Sequence, residues 1–450
     1  MKVGFGQVTI TPPVGWTMPG GFFDSKGEGV HDDLYVKAVV MSDSTNTVAI
    51  AACDSLSVSR STVIKAREIA AERTGISPSD IMVCATHTHE GGPVANALGS
   101  KADSRYLEML VHQIATAICE AKRRSSEAQV CFGAGEVSGV SFNRRFRMKD
   151  GKVATHPGKG NTDIVAPAGS IDPILGVMGV KTMVGTFMGA LIDFSMHCTV
   201  MGGSLYSADY PHYLSETVRR VLGEGSVIVF LNGACGDVTQ VDNLNPRPPE
   251  FGEEWARRIG TALGGEAVKI LATANYVKDH YGVEAKSSIP RISLRDVSAE
   301  ENRWAREMLE KGQGLPFTER IFGMKPASAE IEKVYAREII LLLDEKKKES
   351  TVEAEIQAIR VGPIALVGVP GELFASLGLK IKQATGFEHI FIVELANGCV
   401  GYIPTAEAFA EGGYEVRTAR SSKLVPEAGA MITGEAVKLL NEIKSKTHSR

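Results

Sequence analysis

Two histidines, His87 and His89, stand two residues apart in the stretch Cys84-Ala85-Thr86-His87-Thr88-His89-Glu90-Gly91-Gly92-Pro93, just past the apolar run Ile81-Met82-Val83-Cys84-Ala85. In an extended strand, residues i and i+2 point to the same face. The spacing therefore predicts two imidazoles looking into one pocket, where a strand hands over to a Gly-Gly-Pro loop. Neutral imidazole is a common ligand for zinc and other transition metals. Two readings stay open for the pair: metal ligation, or hydrogen bonding of strand-end histidines to nearby carbonyls.

Further polar residues close apolar runs in the same way. His197 follows Leu191-Ile192-Asp193-Phe194-Ser195-Met196, with Thr199 just beyond it. It is either a satisfied structural histidine or a ligand. Glu372 follows the apolar run Ile364 to Val369 through Pro370-Gly371 and opens a predicted helix, where a carboxylate either suits the dipole or serves a site. The small-residue loop Asn232-Gly233-Ala234-Cys235-Gly236-Asp237-Val238-Thr239 suits close backbone approach to a ligand. In Asn143-Arg144-Arg145, Arg144 either clamps a carboxylate or carbonyl or solvates a loop. Asp54, at the end of a predicted strand over 48–52, either orients a ligand from behind or caps its strand.

These residues need a rigid frame, and the hydrophobic pattern supplies one. Strands are predicted at 35–40, 48–52, from 81, within 182–196, at 227–231, 351–360 and 364–369. Helices are predicted at 60–74, 106–124, 213–222 and 427–446. Alternation of this kind predicts an α/β fold, with a mixed central sheet flanked by helices, in a single large domain over 1–450. Residues 298–350 differ: rich in Glu, Lys and Arg and broken by Gly312, Gly314, Pro316 and Pro326. This charged helical insertion is either a solvated surface hairpin or a lid over the site.

Composition narrows the function classes. Of 450 residues, 44% are hydrophobic and 23% charged, with a net charge of −4 and both signs interspersed. No basic surface argues for nucleic acid. The start, Met-Lys-Val-Gly-Phe-Gly-Gln-Val, lacks the apolar stretch of a signal peptide, and no run is long enough to span a bilayer. No membrane anchor is expected. Seven scattered cysteines without a CxxC pair suit reduced thiols in a cytoplasmic protein, and a thiolate metal site is not expected.

Taken in order, the local wording resembles the neutral ceramidase family. The resemblance rests on Gly6-Gln7-Val8-Thr9-Ile10-Thr11-Pro12-Pro13-Val14-Gly15, on Ala85 to Pro93, on Phe142-Asn143-Arg144 and on Phe194-Ser195-Met196-His197. It continues through Gly236-Asp237-Val238-Thr239, Val369-Pro370-Gly371-Glu372, Gly401-Tyr402-Ile403-Pro404-Thr405 and Gly413-Tyr414-Glu415. It runs from about residue 3 to 420. Carried over, it implies one Zn2+ per chain held by His87, His197, Glu372 and Tyr402. His89 and Tyr414 would then donate to an oxyanion, with Arg144 contacting substrate beside Asn143, Gly236 and Asp237.

The implied reaction is hydrolysis of a linear amide bond, water activated by the zinc attacking the carbonyl. An ester or lactone is the alternative bond, and a non-catalytic ligand-binding descendant of the fold is the alternative of another class. Three departures bear on the substrate. The family's Gly-Asp-x-Ser-Pro-Asn loop reads Gly236-Asp237-Val238-Thr239-Gln240-Val241 here, so Thr239 stands at the serine's place. The family's C-terminal immunoglobulin-like domain has no counterpart after Arg420, where one helix is expected. The secretory signal is lacking too. A small soluble N-acyl amide or ester, rather than ceramide itself, is the expected substrate.

Overall fold

The apolar runs read as strands are buried on both faces, as layers between other layers require. All five residues of Ile81–Ala85, all six of Val227–Asn232 and all five of Ile364–Gly368 are buried. The computed structural model describes residues 1–248, 250–278, 281–311, 329–384 and 386–445. Eight strands form one sheet in the order Val227–Asn232, Phe187–Phe194, Ile174–Thr182, Ser126–Glu136, Lys2–Thr9, Tyr35–Ser42, Thr47–Cys53, Ile81–Ala85. The outermost pair at each end is parallel and the inner pairs are antiparallel.

A second sheet, with the order Val283–Ser288, Ile356–Val361, Ile364–Gly368, His389–Val393, packs face to face on the first. Val39, Met41, Ile50, Leu191 and Val229 of the large sheet share one core with Ile359, Leu366, Phe391 and Val393 of the smaller. Helices Arg60–Thr74 and Ser104–Arg123 cover one half of the large sheet, and Tyr210–Leu222 and Glu253–Thr273 the other. Helices Ala375–Gln383 and Ala428–Ser445 cover the outside of the small sheet. The α/β expectation with a mixed sheet and flanking helices holds. The second sheet was not foreseen.

One local feature lets the first helix layer sit close. A Cβ at Gly4 or Gly6 would lie 2.1 or 2.2 Å from the carbonyls of Ala121 or Ala117, so only glycine admits helix Ser104–Arg123 at that distance. A second feature brings distant strands together. Lys2–Thr9 pairs with Ser126–Glu136 through two residue pairs only, Lys2↔Glu127 and Val3↔Ser126. The two halves of the sheet fold over at this joint, and strand Val227–Asn232 comes against Tyr35–Ser42, Thr47–Cys53 and Ile81–Ala85. The ends of the sheet order thus meet.

The predicted strand over 351–360 splits in two. Thr351–Glu353 pairs with Arg291–Ser293, and Ile356–Val361 enters the small sheet. Segment 298–350 contains helices Ala299–Lys311 and Ala329–Lys348, packed through Ala305, Met308, Ala336 and Ile339. They are not simply a solvated hairpin. Glu332 and Glu338 are buried and paired with Arg417 and Arg420. The breakers Gly312, Gly314, Pro316 and Pro326, on which a lid would hinge, lie outside the described residues, as does Lys446. Among the described residues no helix is long and apolar enough to cross a membrane.

Candidate metal centre and active site

His87 and His197 leave the eighth and second strands of the sheet order, and the fold-over sets their rings 4.7 Å apart. The strand geometry expected for residues 87 and 89 does not hold. Strand Ile81–Ala85 ends first, and His87 adopts a φ of 70°, a left-handed conformation uncommon outside glycine. A turn rather than strand alternation brings the His87 and His89 rings to 5.0 Å. Backbone and side chains stitch the two histidine loops together. The His89 amide donates to the Cys198 carbonyl at 3.3 Å, and Asn232 Nδ2 donates to the Thr86 carbonyl at 3.2 Å.

Glu372 arrives from the small sheet. It lies not in a helix but in the short strand Glu372–Leu373, paired in parallel with Tyr402–Ile403 so that Glu372 is opposite Tyr402. The helix begins at Ala375, so the dipole reading of Glu372 falls away. A Cβ at Gly236 would sit 2.4 Å from the Glu372 carbonyl oxygen, so the glycine lets loop 232–239 pack directly on this strand.

His87, His197 and Glu372 offer ligand atoms that all lie within 4.8 Å of one another, and all three residues are buried. Each imidazole spends its Nδ1 on the backbone: His87 donates to the Leu56 carbonyl at 2.8 Å, His197 to that of Cys235 at 2.7 Å. Both Nε2 atoms therefore face inward as lone pairs, the arrangement that fixes a metal-ligating histidine. Glu372 Oε2 lies 3.5 Å from His87 Nε2 and 3.3 Å from His197 Nε2, too long to be good hydrogen bonds. His87 Nε2 and Glu372 Oε2 are buried with no hydrogen-bond partner. Buried polar atoms are rarely left so. Two nitrogens and one oxygen converging on one point, two of them unsatisfied, fit a divalent transition metal.

The charge states of His197 and Glu372 agree with that fit. Burial pushes the His197 imidazole down, with Arg144 beside it, to about 4. Burial opposes ionisation of Glu372, but His87 and then His197 outweigh it and hold the carboxyl well below its usual range. Burial also lowers His87, yet Glu372 overrides it and the net shift is upward. His89 is pushed well below its ordinary value by burial and by its two histidine neighbours, so it is neutral. Its Nε2 is buried and without a hydrogen-bond partner.

Tyr402 and Tyr414 stand edge to face, with ring centres 5.7 Å apart. Burial, followed by the Glu372 charge, raises both phenols. Arg144 joins the two sides of the site. Its Nη2 donates to the Tyr402 hydroxyl at 3.1 Å and the Gly236 carbonyl at 2.8 Å, and its Nη1 lies 3.2 Å from His197 Nε2.

Other expected site residues are occupied elsewhere. Asn143 Nδ2 donates to Asp237 Oδ2 at 2.7 Å, and Asp237 Oδ1 accepts from the Ala375 amide at 2.8 Å. This pair ties loop 232–239 to the start of helix Ala375–Gln383. The Thr239 hydroxyl donates to Gln240 Oε1 at 3.0 Å. Asp54 accepts from the Tyr35 amide at 3.0 Å and lies 3.6 Å from Lys37 Nζ, the geometry of a strand cap. Glu415 went unassigned in the sequence reading. It is fully buried and accepts from Arg144, Arg145 and Thr155. Only the structure reveals the need for it: Arg144 and Arg145 are both buried, and a buried arginine pair demands a carboxylate.

The chain is 24% identical over 384 residues to the neutral ceramidase of Pseudomonas aeruginosa, covering 75% of this chain and 56% of that protein. It thus spans little more than half the length of the curated relative. The solved structure of neutral ceramidase from Pseudomonas aeruginosa superposes with a TM-score of 0.74 at 20% identity, over 99% of this chain and 74% of that one. A ceramidase complexed with C2 gives a TM-score of 0.76 at 20% identity, over 99% and 75%. No family model matches the chain.

Proposed function

We propose, from its likeness to neutral ceramidases, that this chain is a member of that family and a zinc-dependent hydrolase of linear amide bonds acting on a small, soluble N-acyl amide. The single observation that carries the reading is the buried group His87, His197 and Glu372, with inward-facing atoms left unsatisfied. Zinc is the metal proposed, because the family resemblance implies it and imidazole and carboxylate donors suit it. Tyr402, opposite Glu372 in register, is proposed as the fourth ligand. An ion held there supplies a Lewis acid for the carbonyl and lowers the pKa of water to about 7.

The protein's own groups do the rest. Neutral His89 and protonated Tyr414 donate to the substrate oxygen as it gains charge, each contact worth roughly 3 kcal/mol in comparable sites. The Leu56 and Cys235 carbonyls hold the two imidazoles in one tautomer, so neither ring must reorganise during turnover. Arg144 fixes the Tyr402 hydroxyl and is proposed to contact a substrate carbonyl or carboxylate. Thr239 is assigned no covalent part, since its hydroxyl is committed to Gln240. A cytoplasmic location belongs to the same proposal, supported by seven unpaired cysteines.

The test is a screen of N-acyl amides, esters and lactones of increasing acyl length against zinc-loaded protein. Turnover of short amides over both esters and long-chain ceramides is expected. Preference for esters or lactones would move the activity to that bond, and no turnover of any member would favour a binding protein.

A further inference from the structure

Arg144 is a permanent cation in the wall of a site built to hold another cation, and this is the least expected feature of the pocket. Its Nη1 touches His197 Nε2 at 3.2 Å, and that nitrogen is 3.3 Å from Glu372 Oε2. The guanidinium is thus one atom removed from the free oxygen of Glu372, the strongest unpaired acceptor in the neighbourhood. A buried arginine seeks a carboxylate. What keeps it from taking Glu372 is a second carboxylate on its far side. Glu415 Oε1 accepts from Arg144 Nε at 2.7 Å. Glu415 Oε2 is fixed in turn by Arg145 Nη1 at 3.0 Å and the Thr155 hydroxyl at 2.8 Å, and the residue has no exposed surface.

Resting on the metal reading above, we infer that Glu415 is a positioning residue: it anchors Arg144 away from Glu372 and so leaves that carboxylate to the metal. The two arginines and Glu415 form a fixed frame. Within it the Arg144 guanidinium is held on Tyr402, Gly236 and the edge of His197 rather than on Glu372. The electrostatics run the same way. Burial opposes the charge on Glu415, but Arg144 and Arg145 outweigh it and bring its carboxyl down to about 2.

The experiment measures zinc affinity by chelator competition on wild type, Glu415→Gln, and Glu415→Gln combined with Arg144→Gln. Loss of a partner behind a metal site commonly costs about 10- to 100-fold in affinity, and that is the loss expected for Glu415→Gln. The double variant lacks the Arg144 cation beside Glu372, so its affinity should return to within a few-fold of wild type. If Glu415→Gln binds zinc like wild type, or the double variant binds as weakly as the single, the inference is overturned. Should Glu415→Gln not fold, Glu415→Asp replaces it, one methylene too short to hold both arginines. A several-fold loss reversed by Arg144→Gln supports the inference, and unchanged affinity overturns it. A wild type that binds no zinc would instead refute the metal reading itself.

Discussion

Glu355 and Glu372 are both buried carboxylates facing nitrogen donors, and they differ in what is left over. Glu355 Oε1 accepts from Arg67 Nη1 at 2.8 Å, and Oε2 accepts from Arg60 Nη1 at 2.6 Å and Arg67 Nη1 at 3.0 Å. Every oxygen is taken, and the cluster does one thing: it fastens helix Arg60–Thr74 to the small sheet. Glu372 faces two imidazoles at distances too long for good hydrogen bonds and keeps Oε2 unsatisfied. Charge saturated by partners is structure; charge held open by a rigid frame is a site. The contrast separates the two roles where burial alone cannot.

The largest effect should come from Glu372→Gln. Loss of a proposed metal ligand should cost more than the roughly 10²–10³-fold of a single oxyanion donor, with thermal stability of the metal-free protein near that of wild type. Activity within tenfold of wild type would break the contrast. Glu355→Gln should do the reverse. Buried Arg67 and partly exposed Arg60 then share a neutral partner, and stability should fall by about 3 kcal/mol while the folded protein keeps the proposed metal. A stability change below 1 kcal/mol in denaturant melts would show that the saturated cluster holds nothing together.

Tyr414→Phe sharpens the open side. Turnover should drop by about 10²-fold, and KM and zinc content should change little, because the hydroxyl is proposed to act on charge that develops during reaction. Loss of zinc instead would make Tyr414 a ligand rather than a donor.

The smallest effect concerns a third buried carboxylate, intermediate between the other two. Asp193 leaves Oδ1 unpartnered, with Lys382 at 3.7 Å already committed to Asp172 at 2.6 Å. Burial, only partly offset by Lys382, raises Asp193 to about 7. An unfolded aspartate titrates near 3.9, so the folded state holds the proton more tightly. The resulting stability is complete below about pH 4 and is lost as pH rises to 7 and beyond. Asp193→Asn should therefore lose less thermal stability between pH 5 and pH 8 than wild type does. Parallel declines in the two proteins would exclude Asp193 as the source.

Much of this was legible in the chain. The apolar runs at 48–52, 81–85, 227–231 and 364–369 declared buried strands because nothing polar interrupts them. Helix Arg60–Thr74 appears as read, with Ser59 capping its start and Gly75 its end. The second sheet was not legible, since a buried strand reads alike whichever sheet receives it. Nor was the route by which His87 meets His89. Period-two alternation gave the right neighbours for a wrong reason, and the turn at φ 70° is a tertiary matter set by the packing around Ser55 and Leu56. Glu372 was misplaced on a helix because Pro-Gly before an apolar stretch resembles a helix start. Its partner Tyr402 lies thirty residues on, and a two-residue parallel bridge has no sequence signature. Glu415 escaped because an acidic residue beside a tyrosine looks solvated until the two arginines facing it are seen to be buried.

The most direct measurement is metal analysis of the protein purified without added zinc, run beside His87→Ala. About one zinc per chain in the wild type, absent from a variant that still folds, is the predicted result. A well-folded wild type carrying no metal, or a His87→Ala protein carrying as much as the wild type, would contradict the account.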